Sequence, residues 1–366
     1  MKLAFLGDRH IDSRSERFRY ALQQWDTAIQ TAIDLGAEAF VCLGDVCEGD
    51  PDGPERLALA ERYERMLAVG PVYEVLGNHE AYSALGFLKY MGVQVAWNDF
   101  LLTEVPDSCV LLLVPYPRRG RPPFQNLGGE TIEGSMVAAA VRIAKHVQDA
   151  RAIADAKHLP LIVGGHFTIE SMRVSSSDFE IHVGREVIVP IAALQKADLT
   201  VTAHIHRAQH VTPRIVGVGS LYHCSFAEAD EKKGILLVEA HGQEGITHTA
   251  VELMGRDHLD IRLTGAEFKL QHAHVQMRVT ARTEIKLTLE LEPGDPFNYE
   301  PLLQPIRDLA AYCVVKKERK QVLRPVRAPE IAAATDVREQ FKVWLDVTHQ
   351  PSSDGIYQKL EEITAS

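Results

Sequence analysis

No run of eighteen apolar residues occurs in the 366-residue chain, although 46% of it is hydrophobic, so no membrane-spanning helix is expected. The opening MKLAFLGD has one lysine and an apolar stretch too short for a signal peptide; it reads as the first strand of a soluble protein. The five cysteines (Cys42, Cys47, Cys109, Cys224, Cys313) form no C-x-x-C pair and are odd in number. That argues against a disulfide framework or a structural zinc site and suits a reducing cytoplasm. Internal repeats and low-complexity segments are also missing. Positive charge is short as well: the net charge of −11 excludes a protein that coats nucleic acid through a broad basic face. It leaves room for a nuclease whose phosphate contacts are local or whose partner supplies the positive surface.

The charge is uneven. Residues 266–366 carry 14 Lys and Arg against 15 Asp and Glu, which leaves −10 on residues 1–265. The near-neutral segment holds KKERK at 316–320, followed by Arg324 and Arg327. Lys316, Lys317, Arg319 and Lys320 are therefore candidate nucleic-acid contacts, with a solvated face as the alternative. The apolar content is ample for a buried core and two domains.

Five apolar runs read as buried strands: KLAFL (2–6), AEAFVCL (37–43), VYEVL (72–76), LPLIV (159–163) and DLTVT (198–202). Phe18, Leu22, Trp25, Ile29 and Ile33 fall at helical spacing before Gly36, and a second amphipathic helix spans roughly 54–69. A further helix runs from Met136 to about Lys157. Strand and helix in alternation imply parallel pairing with right-handed crossovers. Residues 234–253 read as a hairpin around the turn 241–245. After about Arg262 the pattern changes. HVQMRVTA (274–281) and IKLTLELE (285–292) alternate apolar and polar residues, a helix carries Leu302, Ile306, Leu309 and Cys313, and CVVKKERKQV (313–322) is strand-like. This is a smaller α+β module, residues 263–366, appended to an α/β domain of residues 1–262. Two amphipathic segments, with Val337, Phe341 and Trp344 and then Ile356, Leu360 and Ile363, close the chain.

Every one of the five strands ends in a polar side chain able to bind a metal. They give Asp8 and His10, Asp45, Asn78 with His79 and Glu80, His166, and finally His204 and His206. In an open α/β sheet, ligands collect beyond the carboxyl ends of the strands. Singly, each residue has an ordinary explanation as a helix cap, a turn former or a satisfied core histidine. Seven such groups at the same end of five strands point instead to a metal centre. His204 and His206, two apart on a strand, share a face, and each can serve a different ion. Two divalent ions held by only two carboxylates leave a net positive site, suited to a phosphate. Mixed oxygen and nitrogen donors favour manganese, iron or zinc over magnesium or calcium.

The order D-x-H, GD, GNHE, GH, HxH resembles the signature of the calcineurin-like metallophosphoesterases. GSLYHCSFAEADEKKGILLVE (219–239) is similar to the glycine-serine, serine-phenylalanine-x-glutamate and lysine-glycine pattern of the SbcD nuclease subunit family. That resemblance covers residues 1 to about 255. It implies a sandwich of sheets flanked by helices and a smaller capping domain. It further implies one metal on Asp8, His10, Asp45 and His206, and a second on Asp45, Asn78, His166 and His204. His79 would protonate the leaving sugar oxygen. The implied activity is a manganese-dependent DNA nuclease that works with an SMC-like ATPase of the SbcC type, with a homodimer as the family expectation. Two alternatives stand beside it: a phosphodiesterase or phosphatase acting on a small nucleotide or phosphoprotein, and a scaffold without catalysis. Two positions depart from the family pattern. Glu80 replaces an aspartate that is not a ligand, and Glu48 stands where some members carry a histidine that touches nucleic acid.

Overall fold

The structure, a computed structural model, describes residues 1–80, 85–118, 120–125, 132–174 and 186–319. Lys320 and the two closing amphipathic segments lie outside the described residues. From the start the elements run β1 (Lys2–Leu6), α1 (Phe18–Asp34), β2 (Ala39–Cys42), α2 (Gly53–Leu67), β3 (Val72–Val75), β4 (Gln94–Ala96), β5 (Leu101–Val105), β6 (Cys109–Val114) and α3 (Ile132–Lys157). Then come β7 (Leu161–His166), β8 (Thr168–Ile169), β9 (Ile188–Val189), α4 (Ile191–Leu194), β10 (Leu199–Ala203), β11 (Gln209–Thr212), β12 (Ile215–Gly217), β13 (Gly234–Ala240) and β14 (Ile246–Glu252). The last described elements are β15 (Asp257–Thr264), α5 (Gly265–Met277), β16 (Thr283–Leu291), α6 (Glu300–Leu309) and β17 (Tyr312–Arg319).

Two six-stranded sheets, ordered β14-β13-β1-β2-β3-β4 and β11-β12-β10-β7-β6-β5, stack face to face. The alternation along β1 shows why. Leu3 and Phe5 point between the sheets, where they meet Val41, Leu111, Ile162 and Val201. Ala4 and Leu6 point outward under α1 and α2, beside Trp25, Ile29 and Leu59. The outer face of the second sheet is covered by α3 through Ile143, Val147 and Ala150. Helix, sheet, sheet and helix thus form four layers with three apolar seams. Each fully buried Leu, Val or Phe in them contributes about 1.5–3 kcal/mol. The cap of α2 does more than start a helix. Asp52 and Glu55 form a reciprocal capping box, and both also accept hydrogen bonds from Ser13, at 2.5 and 2.7 Å. The loop that follows His10 is thereby fastened to α2.

In the second unit β15, β16 and β17 pair in parallel, with α5 and α6 as crossovers. Its core gathers Phe268, Val275, Ile285, Leu287, Leu289, Tyr299, Leu303 and Ile306. The sheet starts at Asp257, so the stretch just before Arg262 already belongs to its first strand. One expected strand is overturned: residues 274–277 finish α5 rather than opening a strand. Val275 and Val279 are four apart, a spacing that satisfies a helix as well as an alternating strand. Met277, the third member of the supposed alternation, is 76% exposed and contributes nothing to the core. The capping box of Thr264 and Glu267 settles the helical choice.

The two units are joined around Glu284, which is fully buried. It is paired with Arg17 of the first unit, with Arg256 at 2.9 Å and with His258 at 3.2 Å. Tyr312 of β17 stacks on Phe226 at 6.4 Å, with the Arg17 guanidinium against both rings. No helix among the described residues is long and apolar enough to cross a membrane.

Candidate metal centre

The five strands whose ends carry polar side chains are β1, β2 and β3 in one sheet and β7 and β10 in the other. Parallel pairing brings the ends within each sheet to one level, with Ala203 opposite His166. Stacking the sheets then closes the two edges over one another. Asp8, His10, Asp45, Asn78, His166, His204 and His206 are all brought into one cluster. His10 Nε2 faces His206 Nε2 at 2.9 Å. Donor atoms of Asp8, His10 and Asp45 lie within 4.8 Å of one another, as do those of Asp45, His166 and His204. Asp45 Oδ2 is 3.1 Å from His166 Nε2, and Asn78 Oδ1 is 2.8 Å from both His166 Nε2 and His204 Nδ1. Asp8, Asp45 and His166 are fully buried or nearly so.

These donors fit a pair of cations. Two imidazole nitrogens aimed at each other across 2.9 Å need a proton or a cation between them. Asp45 belongs to both donor sets, so its carboxylate can serve two ions at once. Nitrogen and oxygen donors in this mixture suit manganese, iron or zinc.

The backbone is bent to make the cluster. His10, Asp45 and His204 adopt positive φ values of 41°, 46° and 90°. Such left-handed conformations cost side-chain-bearing residues on the order of 1–3 kcal/mol each and persist only when neighbours impose them. Here the imposition is visible: Arg9 and His10 both donate their N–H to the Asp45 carbonyl, at 2.9 and 3.0 Å. The His204 N–H reaches both Asp8 oxygens at 3.2 Å. Gly77 is required for a different reason. A Cβ there would sit 2.0 Å from Asp45 Oδ1, so the glycine makes room for the carboxylate itself.

Sequence reasoning passes over the carboxylates that hold the histidines. Glu48 bridges two of them, with Oε1 2.8 Å from His10 Nδ1 and Oε2 2.9 Å from His79 Nδ1. Its spacing from Asp45 carries no sign of that bridging role. Glu228, in the SFAE run, accepts from His206 Nδ1 at 3.0 Å and pairs with Lys233 at 2.7 Å. The serine-phenylalanine-x-glutamate and lysine-glycine pattern is therefore part of the metal centre's frame. Glu186 contacts His204 Nε2, and no signal in the sequence points to it. Glu80 accepts from the Val46, Cys47 and Gly77 N–H groups, tying the GNHE turn to the GD turn. Arg118 donates to the Asn78 carbonyl and brings a guanidinium to that edge of the site. Beneath the cluster, Arg9 and Glu74 form an ion pair at 2.8 Å with neither side chain exposed.

Charges in the cluster are strongly coupled. Burial opposes a charge on His10, yet Cys224 and the Glu48 carboxylate push it up to about 10. Burial likewise opposes charge on His166, but Asp45 raises it to about 9. Against its own burial, Asp45 is held well below the usual carboxylate range by His166, His10 and His79. His79 is raised by its hydrogen bond to Glu48, against the effect of burial. Burial, with Asp45 and Glu74 nearby, pushes Glu80 up to about 7. A metal-free cluster thus holds protons where cations would sit.

Lys316, Lys317 and Arg319 lie on the exposed end of β17. Lys317 is tied to Glu300 at 2.8 Å, and Glu318 between them is tied to Arg262. Lys320 falls outside the described residues.

A family profile described as calcineurin-like phosphoesterase matches residues 1–208. No curated protein sequence matches the chain significantly. Among solved structures, a dimetal phosphatase from Danio rerio is 10% identical with a TM-score of 0.42, covering 68% of this chain and 98% of its own. A purple acid phosphatase isolated from yellow lupin (Lupinus luteus) seeds is 11% identical with a TM-score of 0.42, covering 69% and 51%. The protein TT1561 of Thermus thermophilus is 14% identical with a TM-score of 0.38, covering 68% and 98%. With the profile spanning more than half its length, the chain belongs to the calcineurin-like phosphoesterase family.

Proposed function

We propose that the protein is a two-metal phosphodiesterase that cuts DNA, the nuclease subunit of an SbcCD-type repair complex that works with an SMC-like ATPase. The observation that carries the chemistry is His79 beside the donor cluster, its Nδ1 held by Glu48 and its Nε2 3.9 Å from Asp45 Oδ2. Two divalent ions, manganese in this reading, would be held by Asp8, His10, Asp45 and His206 and by Asp45, Asn78, His166 and His204. When bound, they supply positive charge that draws in a phosphate and offsets the charge developing on its oxygens.

The chain's own residues do the rest. Glu48 fixes the His79 ring and, against the effect of burial, raises its proton affinity. Its Nε2 proton is then available for the sugar oxygen that leaves phosphorus. The His79 backbone N–H donates to Asp45 Oδ1 at 3.0 Å, which registers the residue against the cluster. Arg118 can meet a non-bridging phosphate oxygen from the Asn78 side.

Two features support a polymeric substrate. The frame of His206 contains the 219–239 pattern, through Glu228 and Lys233. The second unit stacks Tyr312 on Phe226, two residues before Glu228, and so abuts the site. Two observations favour a small substrate: Glu48 places a carboxylate, 38% exposed, beside His79, and Lys317 is already neutralised by Glu300.

The full chain with manganese should cut labelled duplex, single-stranded or hairpin DNA. His79→Gln should lose roughly 10²–10⁴-fold of the rate while keeping its metal. Turnover of bis(p-nitrophenyl) phosphate without DNA cleavage under any divalent ion would select the small-substrate reading instead.

A further inference from the structure

We propose that Cys224 is a thiolate ligand of the ion held by Asp8, His10, Asp45 and His206, and that it biases this position toward zinc or ferrous iron over manganese. The inference rests on the metal centre proposed above, replaces manganese at this one position, and adds a donor that the strand-end motifs do not contain.

The cysteine sits inside a cluster. Cys224 Sγ and one ring nitrogen each of His10 and His206 lie within 4.8 Å of one another. His10 is also a member of the trio with Asp8 and Asp45, so the two groups overlap on one residue. Around that overlap stand two carboxylates, two imidazoles and a thiol. His10 is 5% exposed, and its Nε2 is aimed at His206 Nε2 across 2.9 Å. The sulfur's hydrogen bond to the Tyr222 carbonyl is long, 3.7 Å, and uses the thiol proton rather than a lone pair.

The placement of Cys224 is built by the same residue that places His206. Glu228 accepts from His206 Nδ1 at 3.0 Å with one oxygen and from the Cys224 backbone N–H at 3.0 Å with the other. Lys233 neutralises that carboxylate at 2.7 Å and donates to the His206 carbonyl at 2.9 Å. One buried carboxylate therefore sets both the imidazole orientation, with Nε2 left for a cation, and the backbone from which the thiol projects. Tyr222, two residues earlier, anchors the same loop by donating its hydroxyl to the His10 carbonyl at 3.0 Å. The other cysteines are elsewhere: Cys42 and Cys47 are buried under the helices, Cys109 between the sheets, and Cys313 in the second unit.

The chemistry follows from softness. On coordination the Sγ–H proton leaves to solvent and the sulfur lone pair binds the cation, with no change of oxidation state. Thiolate adds a soft, anionic donor to a site otherwise made of oxygen and nitrogen, which favours zinc and ferrous iron over manganese. The second ion, on Asp45, Asn78, His166 and His204, has no sulfur donor and keeps the hard preference. The two positions thus differ in the metal they select.

Cobalt(II) added to the metal-free full chain reads this directly. The unmodified protein should bind two cobalt ions and show a thiolate-to-cobalt charge-transfer band in the near ultraviolet. Cys224→Ser should lose the band yet still bind cobalt, and Cys313→Ser should retain it. The preference for zinc over manganese, measured by competition, should fall by roughly tenfold or more in Cys224→Ser. Zinc should protect Cys224 of the unmodified protein from iodoacetamide, located by mass spectrometry, so the question survives if the variant fails to fold. Two bound cobalt ions without the band, or alkylation indifferent to zinc, would overturn the thiolate and leave the phosphoesterase centre standing. No cobalt binding at all would overturn both.

Discussion

Leucine at position 74 should destabilise the protein severely, and methionine at position 9 should then rescue most of the loss. Arg9 and Glu74 pair at 2.8 Å with both side chains fully buried, so removing either strands a charge out of reach of water. Breaking such a pair from one side costs about 3–5 kcal/mol. Replacing both partners by apolar groups removes the stranded charge, and the remaining cost comes from the secondary bonds. Glu74 also accepts from the Tyr63 hydroxyl and from the Gly44 N–H at 3.3 Å, and Arg9 donates to the Gly44 carbonyl at 3.2 Å. Leaving those groups unpaired costs about 1–3 kcal/mol. Singles of about 3–5 kcal/mol each and a double near 1–3 kcal/mol imply a coupling of at least about 3 kcal/mol. Urea unfolding of Arg9→Met, Glu74→Leu and the double variant measures that coupling. Metal titration should show weaker binding in both singles, because the pair clamps the Gly44 peptide just before Asp45. Additive losses, or a Glu74→Leu protein as stable as the parent, would refute the buried ion pair as the keystone beneath the site.

Four further outcomes follow from the cluster. Metal binding at pH 7 should release protons, because His10 and His166 are raised to about 10 and 9 in the metal-free protein; calorimetry in buffers of different ionisation enthalpy counts them, and zero release would contradict the assignment. The sign for stability is that of any raised histidine. The contribution is complete below the unfolded value near 6.5 and is lost as pH rises through 9 to 10, so the metal-free protein should melt lower at pH 10 than at pH 7. Gly77→Ala should abolish tight binding of at least one ion, since its Cβ would meet Asp45 Oδ1 at 2.0 Å; full metal occupancy would show that the turn can yield. Glu48→Gln should retain both metals but lose roughly ten- to a hundredfold in turnover, as His79 loses the partner that orients it and raises its proton affinity; an unchanged pH–rate profile would rule this out.

The strand-end residues were legible in the sequence because they sit on local patterns. A buried apolar run followed by Gly-Asp or Gly-Asn-His is a strand and its terminal turn, and parallel crossovers carry such ends to one edge. That reasoning placed Asp8, Asp45, Asn78, His166 and His204 together without coordinates. What it could not reach were contacts set by the stacking of two sheets. Glu48 lies 38 residues from His10 and 31 from His79, and nothing local says that one carboxylate will span both rings. Glu186 reaches His204, and Arg9 reaches Glu74 across 65 residues, only after register and layer packing are set. The same limit explains residues 274–277. Valines four apart satisfy both periods, so the Thr264 cap and the exposure of Met277 decided for a helix. Periodicity along the chain determined the elements and which of their ends could bind metal. Tertiary packing alone decided which carboxylates would hold those ends in place, because a charged side chain's partner is chosen by distance in space.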